Sequence, residues 1–292
     1  MANKIFVTQR TNRQVVKRLA SDLVPATYDL HFGEWGVSHI DNAGLNFPWG
    51  IAIDASNNVY VCDTNNRRIV KLDSSLVYVD SYSTIGTVDV PYAITFDSVS
   101  GHLYVAGVRA QAFTRIERLT TALVSVKVSG DLNNVGDLWF RPVAIVPSFV
   151  AGDWIVCGAA LDLQVTTEGV SFSPFVTQTV TGETTTWPNL YATTHYFGMI
   201  KHSNGDLYLN NGRTILRVNS LFDNIGDADI ISKTVVGLKE GLSSTMLTYD
   251  ADNEKIVRYD EDLNYVEDVY VDTGSTVALD AYDIMDFVEV SI

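Results

Sequence analysis

A chain of 292 residues with 46% hydrophobic residues can bury a large core, as two ordinary domains or one large all-β domain. The formal net charge of -15 sets a repulsive field against phosphate, so nucleic acid is an unlooked-for partner. The most apolar region, 138–161, is broken by Arg141, Pro142, Pro147 and Asp153, which argues against a membrane span.

The N-terminal run Ile5-Phe6-Val7-Thr8 passes straight into polar Gln9-Arg10-Thr11-Asn12-Arg13 without an apolar signal core. Export by that route is not expected, and a cytoplasmic or virion-associated location is. A first complete pattern of strands opens at Phe47-Pro48-Trp49-Gly50-Ile51-Ala52-Ile53-Asp54. Ile51 and Ile53 alternate with a small residue, Ala55-Ser56-Asn57-Asn58 is a polar turn, and Val59 and Val61 alternate again. Asp63-Thr64-Asn65-Asn66-Arg67 makes a second turn, and Ile69-Val70-Lys71-Leu72 a third strand.

With its Pro-x-Gly-Ile-Ala-Ile-Asp opening and Asp-x-x-Asn-x-Arg-Ile centre, this stretch resembles an NHL repeat, the strand unit of one β-propeller family. The resemblance implies that Asp63, Asn66 and Arg67 organise a turn, with the aspartate accepting backbone N–H bonds.

The pattern recurs along the chain. Residues 5–17 align without a gap on residues 59–71, as the second and third strands of a unit that lacks its first. Restarts follow at Val90–Asp97, at Phe140–Ile145 and at Tyr196–Ile200, and Asp250–Arg258 matches the stretch beginning at Asp63. In that last unit the first two strands are degraded, at Val235–Leu238 and Thr245–Thr248. Restarts spaced roughly 40–55 residues apart fit four-stranded blades. The expected fold is a single all-β domain over 1–292, a six-bladed propeller. The alternating C-terminal strand Ile284–Val290 completes the N-terminal blade and closes the ring, which removes an exposed strand edge. Cations of the first unit (Lys4, Arg10, Arg13, Lys17, Arg18) would then face acids of the last, such as Asp250, Glu254 and Asp268. Each exposed pair would contribute at most about 1 kcal/mol, and the other reading is that both are solvated faces.

Cys62 and Cys157 fall in matching strand contexts, too far apart for a disulfide if they lie in different blades, and read as buried free thiols.

Links between blades and turns between second and third strands share one face of a propeller. That face collects Arg10, Arg13 and Arg67 from turns, and Trp35, His39, Trp139, Trp187, Tyr191 and His195 from links. Loops on a rigid ring are where binding resides, so these nine residues are the candidate site for another protein subunit or a glycan. The competing reading is that the large aromatics only cap blade ends. A basic face for RNA would begin at Arg10, Arg13, Arg67 and Arg68 but is opposed by the acidic last unit.

No metal or cofactor is expected. Asp250-Ala251-Asp252-Asn253-Glu254 lacks the glycine and distal glutamate of an EF-hand. His102 and His202 fall in turns of the opposite face, and no His-x-x-x-His, Gly-x-Ser-x-Gly or Cys-x-x-Cys spacing occurs. The leading expectation is a non-catalytic interaction or scaffold module, with a phage virion component (tail or capsid decoration) as one case. The alternative is a metal-assisted hydrolase or lyase acting on a sugar, lactone or peptide at the axial pocket.

Overall fold

The computed structural model describes residues 3–9, 15–19, 28–34, 37–109, 113–128, 132–133, 140–147, 153–160, 175–179, 184–186, 198–210, 214–219, 224–229, 235–250, 253, 255–271 and 284–291. Apart from the short 3-10 turn Thr64–Asn66, their regular structure is antiparallel strand. Among them no helix is long and apolar enough to cross a membrane.

The first sheet takes β1 (Asn3–Gln9), β2 (Val15–Leu19) and β3 (Tyr28–Phe32). The second is β4 (Pro48–Ile53), β5 (Val59–Asp63), β6 (Arg68–Leu72) and β7 (Tyr78–Ser83). The third is β8 (Val90–Asp97), β9 (His102–Arg109), β10 (Phe113–Thr120) and β11 (Ser125–Val128), with the short β12 (Leu132–Asn133) also on β10. The fourth is β13 (Phe140–Pro147), β14 (Asp153–Ala160), β15 (Phe175–Thr179) and β16 (Thr184–Thr186). The fifth is β17 (Gly198–Lys201), β18 (Leu207–Asn210), β19 (Thr214–Val218) and β20 (Asn224–Asp229), and the sixth β21 (Val235–Gly241), β22 (Thr245–Asp250), β23 (Lys255–Tyr259) and β24 (Tyr265–Val271). The last strand, β25 (Ile284–Ser291), leaves the sixth sheet and pairs with β1, setting Phe6 opposite Val288 and Val7 opposite Phe287. The sheets stand side by side, first strands inward: β25 lies against β4, β4 against β8, β8 against β13, β13 against β17, β17 against β21, and β21 against β25. The fold is an all-β propeller.

Strand alternation explains the core. Odd and even residues of each second strand face different neighbouring sheets, so buried clusters form between sheets. Tyr60 and Cys62 pack with Ile94, Leu103 and Val105 of the third sheet. Tyr208 packs with Leu238, Met246 and Tyr259 of the sixth. Phe6 joins Leu45, Ile51, Val61 and Val70.

Near their N-terminal ends most first strands carry a bulge, visible as register shifts at Pro48/Ile51, Pro91/Ala93, Pro142/Ala144 and Val236/Lys239. A bulge takes a carbonyl out of its ladder, and buried carbonyls need partners. The preceding sheet supplies them: Thr8 Oγ1 donates to Trp49 O at 2.5 Å, and Asn210 Nδ2 to Gly237 O at 3.0 Å.

A second device recurs between neighbouring sheets. The Tyr60 hydroxyl lies 2.8 Å from Thr121 O in the β10–β11 turn of the third sheet, to which Lys71 Nζ donates at 2.8 Å. Tyr208 donates to Glu261 O of the sixth sheet at 2.6 Å, with Arg217 Nη1 at 3.3 Å from the same oxygen. In each case the cation sits over the tyrosine ring, at 5.5 and 5.7 Å from its centroid.

Asp54 ties the β4–β5 turn by accepting from Ser56 N, Asn58 N, Asn58 Nδ2 and the Tyr60 hydroxyl. Burial alone would raise its carboxyl, but these bonds outweigh burial and hold it below the ordinary value. A depressed folded value stabilises the fold above the unfolded value, and that share is lost as pH falls through the folded one. The stability gap between the native chain and Asp54→Asn is therefore expected to narrow between about pH 5 and about pH 2, as read by urea titrations across that range. A gap that widens on acidification would contradict it.

Candidate functional site

The face of links and second-to-third-strand turns is best defined around Asp63. Its buried carboxylate accepts from Asn46 N at 2.6 Å, Asn66 Nδ2 at 2.7 Å and Arg68 Nε at 2.6 Å. Burial raises its pKa, and the bonds from Asn46, Asn66 and Arg68 offset that only in part. Arg68 uses its other nitrogens on the incoming link, reaching Asn42 Oδ1 at 3.0 Å, Asp41 O at 2.6 Å and Gly44 O at 3.0 Å. Asn66 Nδ2 also donates to His39 O at 2.6 Å, and Asn65 N to Asn46 O at 3.1 Å. The turn and the link 39–46 therefore form one hydrogen-bonded body, on which the link presents Ile40, 86% exposed.

Of the nine residues expected at this face, His39 and Arg67 lie within the described residues. Arg10, Arg13, Trp35, Trp139, Trp187, Tyr191 and His195 lie outside them. His39 is half-buried, with Nε2 at 3.2 Å from Glu34 and Nδ1 at 3.6 Å from Asp41. Arg67 is exposed and ends the 3-10 turn in the left-handed region at φ 52°, its N–H donating to Thr64 O.

The turn network expected of Asp63, Asn66 and Arg67 is corrected by one residue: Arg68 pairs with Asp63. The reason is register, since Asp63 and Arg68 face each other across the β5–β6 ladder. The sixth sheet repeats that register, Asp250 opposite Lys255, and Asp250 likewise holds Asn253, at 2.8 Å from Nδ2. There the strand cation goes elsewhere, Lys255 Nζ reaching Asp268 at 3.0 Å. The gapless alignment of the first unit also needs correction. Phe6 pairs with Arg18 where Tyr60 pairs with Lys71, a displacement of one residue.

Lysine cannot reproduce a guanidinium fork. Arg68→Lys is expected to lose about 2 kcal/mol of stability, whereas Arg67→Ala stays within about 0.5 kcal/mol. Paired urea titrations would reverse the assignment if Arg67→Ala proved the costlier.

The inner strands carry a second set of charges that strand alternation did not flag. Asp286 of β25 accepts from Ile51 N at 3.1 Å and Phe287 N at 3.0 Å, and pairs with Lys239 Nζ at 2.9 Å. Burial raises the Asp286 carboxyl and Lys239 opposes it. Glu289, fully buried, holds Arg258 through two contacts, at 2.7 and 3.1 Å, and accepts from Leu242 N at 2.9 Å. The described ion pairs joining the chain's last strand to the sixth sheet thus run opposite to expectation: the acids sit on β25 and the bases on the sixth sheet. Asp268, expected to face the first unit, pairs with Lys255 of its own sheet, and its neighbour Glu267 with Arg258. The available signal was a charge inside an otherwise apolar strand, at Asp286 and Glu289.

Cys62 is a buried free thiol, and burial pushes it well up. Cys157 faces Ala144 across the β13–β14 ladder. Among the described residues no three His, Cys, Asp or Glu side chains gather as a metal site.

A family model described as NHL repeat matches residues 45–72. No curated protein matches the chain. Among solved structures, a protein of unknown function from Bacteroides caccae aligns with TM-score 0.72 at 10% identity, over 99% of each chain. The nidogen/laminin complex aligns at 0.64 and 11% identity, over 99% of this chain and 98% of that one. Virginiamycin B lyase from Staphylococcus aureus aligns at 0.61 and 12% identity, over 99% and 95%. Residues 45–72 are an NHL repeat, and the chain that carries it is a β-propeller.

Proposed function

We propose that this chain is a six-bladed ring closed by β25, and that it works as a non-catalytic interaction module through its link face. Closure is supported by Asp286, which bonds the second sheet through Ile51 N and the sixth through Lys239 from a strand of the first. The function rests on one observation. The polar groups of the described link face, Asp63, Asn66 and Arg68 above all, are committed to bonds between turn and link. That arrangement stiffens a platform and leaves Ile40 outward, which suits docking better than proton or group transfer. The neighbour solved as a nidogen/laminin complex offers a precedent for the fold in protein assembly. A protein subunit is the partner we favour, with a glycan second. The virion placement, drawn from composition, belongs to the same proposal, and mass spectrometry of purified particles tests it.

A photo-crosslinking residue at Ile40, compared with one at Val99, tests the module. Val99 is 94% exposed on the β8–β9 turn of the opposite face. A defined protein adduct from Ile40 and none from Val99 is expected in the producing cells; equal labelling would overturn the face assignment. The rival reading, a metal-assisted hydrolase or lyase, has the S. aureus lyase as its precedent for the fold. It requires stoichiometric divalent metal by elemental analysis and turnover of a lactone or cyclic peptide.

A further inference from the structure

We infer that the slot filled by β25 is a strand-binding site that a second copy of this chain can fill with its own β25. The inference needs only the described contacts of β25 and is independent of the link-face reading. What β25 brings to its slot is carried on the strand itself. Its backbone pairs with β1 from Asn3 to Gln9. Asp286 meets Ile51 N and Lys239, and Glu289 meets Arg258 and Leu242 N. Phe287 covers Gly237, where a Cβ would come within 2.9 Å of its ring. A strand from any copy delivers the same set.

The slot also cannot stay empty. Without β25, β1 exposes an unpaired edge, the buried Arg258 loses Glu289, and the half-buried Lys239 loses Asp286. Residues 272–283 connect β24 to β25, a dozen residues that can reach up to roughly 40 Å when extended. In one chain that tether gives the strand a millimolar effective concentration. Exchange between copies therefore matters where chains are crowded side by side, and reciprocal exchange recreates every native contact without a new interface.

A charge-reversal pair of full-length chains tests this. Glu289→Arg makes the strand repel its own slot, and Arg258→Glu makes the slot repel its own strand. Reciprocal exchange between the two restores one native and one reversed pair. Mixing them is expected to give a 1:1 dimer of doubled mass by sedimentation, with a melting midpoint above either variant alone. The chain carrying both changes is expected to be a folded monomer. If that double variant folds while the mixture stays monomeric, the inference is overturned. A second measurement avoids the reversed pair: a fluorescent peptide of residues 284–292 titrated into the native chain and into Glu289→Ala. Saturable uptake is expected, at least about a hundredfold tighter for the chain with the loosened strand. No uptake by either chain overturns the inference as well.

Discussion

Glu289→Ala is expected to lower the free energy of unfolding by about 3–5 kcal/mol, because it leaves a buried guanidinium without its carboxylate. The Glu289 side chain is fully buried and that of Arg258 is 9% exposed, so water cannot take over either role. Arg258 keeps Glu267 at 3.0 Å from Nε, but that carboxylate is half exposed and screened. The substitution also strips Leu242 N of its acceptor. Urea titration should show the loss as a lower midpoint with an unchanged slope. Glu289→Gln, which retains the acceptor for Leu242 N and not the charge, should fall between the two. A double replacement, Glu289→Met with Arg258→Met, should recover most of the loss, since a buried pair is dear to break and close to neutral to replace whole. A double variant as unstable as the single would move the cause from the unpaired charge to lost packing.

The fold was legible in this sequence because a propeller repeats one local pattern. Alternation at Ile51/Ile53 and Val59/Val61 with turn residues between marks strands directly, and β4, β5 and β6 lie where that pattern puts them. The restart at Val90–Asp97 coincides with β8, and the match of Asp250–Arg258 to Asp63–Lys71 survives as identical register. Side-chain assignment at the turn was less legible. Whether Arg67 or Arg68 meets Asp63 depends on which of two adjacent residues re-enters the ladder, and a one-residue choice reverses the face. Long-range pairs such as Glu289 with Arg258 leave only a charge in an apolar strand as their local trace, and the partner is set by which sheets become neighbours. Of the candidate residues drawn from links, His39 lies among the described residues and Trp35, Trp139, Trp187, Tyr191 and His195 lie outside them.

Gly50→Ala is expected to cost about 3 kcal/mol, at the upper end for forced overpacking. Its Cβ would stand 2.6 Å from Tyr92 O, 3.0 Å from Ile94 N and 3.1 Å from Ala93 Cα. All three are backbone atoms of β8, the first strand of the next sheet, and β8 is held in its ladder with β9. No side-chain rotation can relieve the clash; the two inner strands must separate. Gly198 repeats the situation against Leu238 N and Gly237 C of the sixth sheet, and the third and fourth sheets set alanine, Ala93 and Ala144, at the matching place. The glycine of the Pro-x-Gly-Ile-Ala signature therefore serves close approach of neighbouring first strands. Gly226→Ala is the control. It lies on an outer strand, its added Cβ would meet only Arg217 Cβ at 3.9 Å among the described residues, and the change should stay within about 0.5 kcal/mol. Equal stabilities of the two variants would mean that the first strands do not touch as described. A large loss at Gly50 alone would also predict slackening at the link face, because β4 begins at Pro48, opposite Asp63. Hydrogen exchange at Asn46 N, which donates to the Asp63 carboxylate, should then rise together with exchange at Ile51 N.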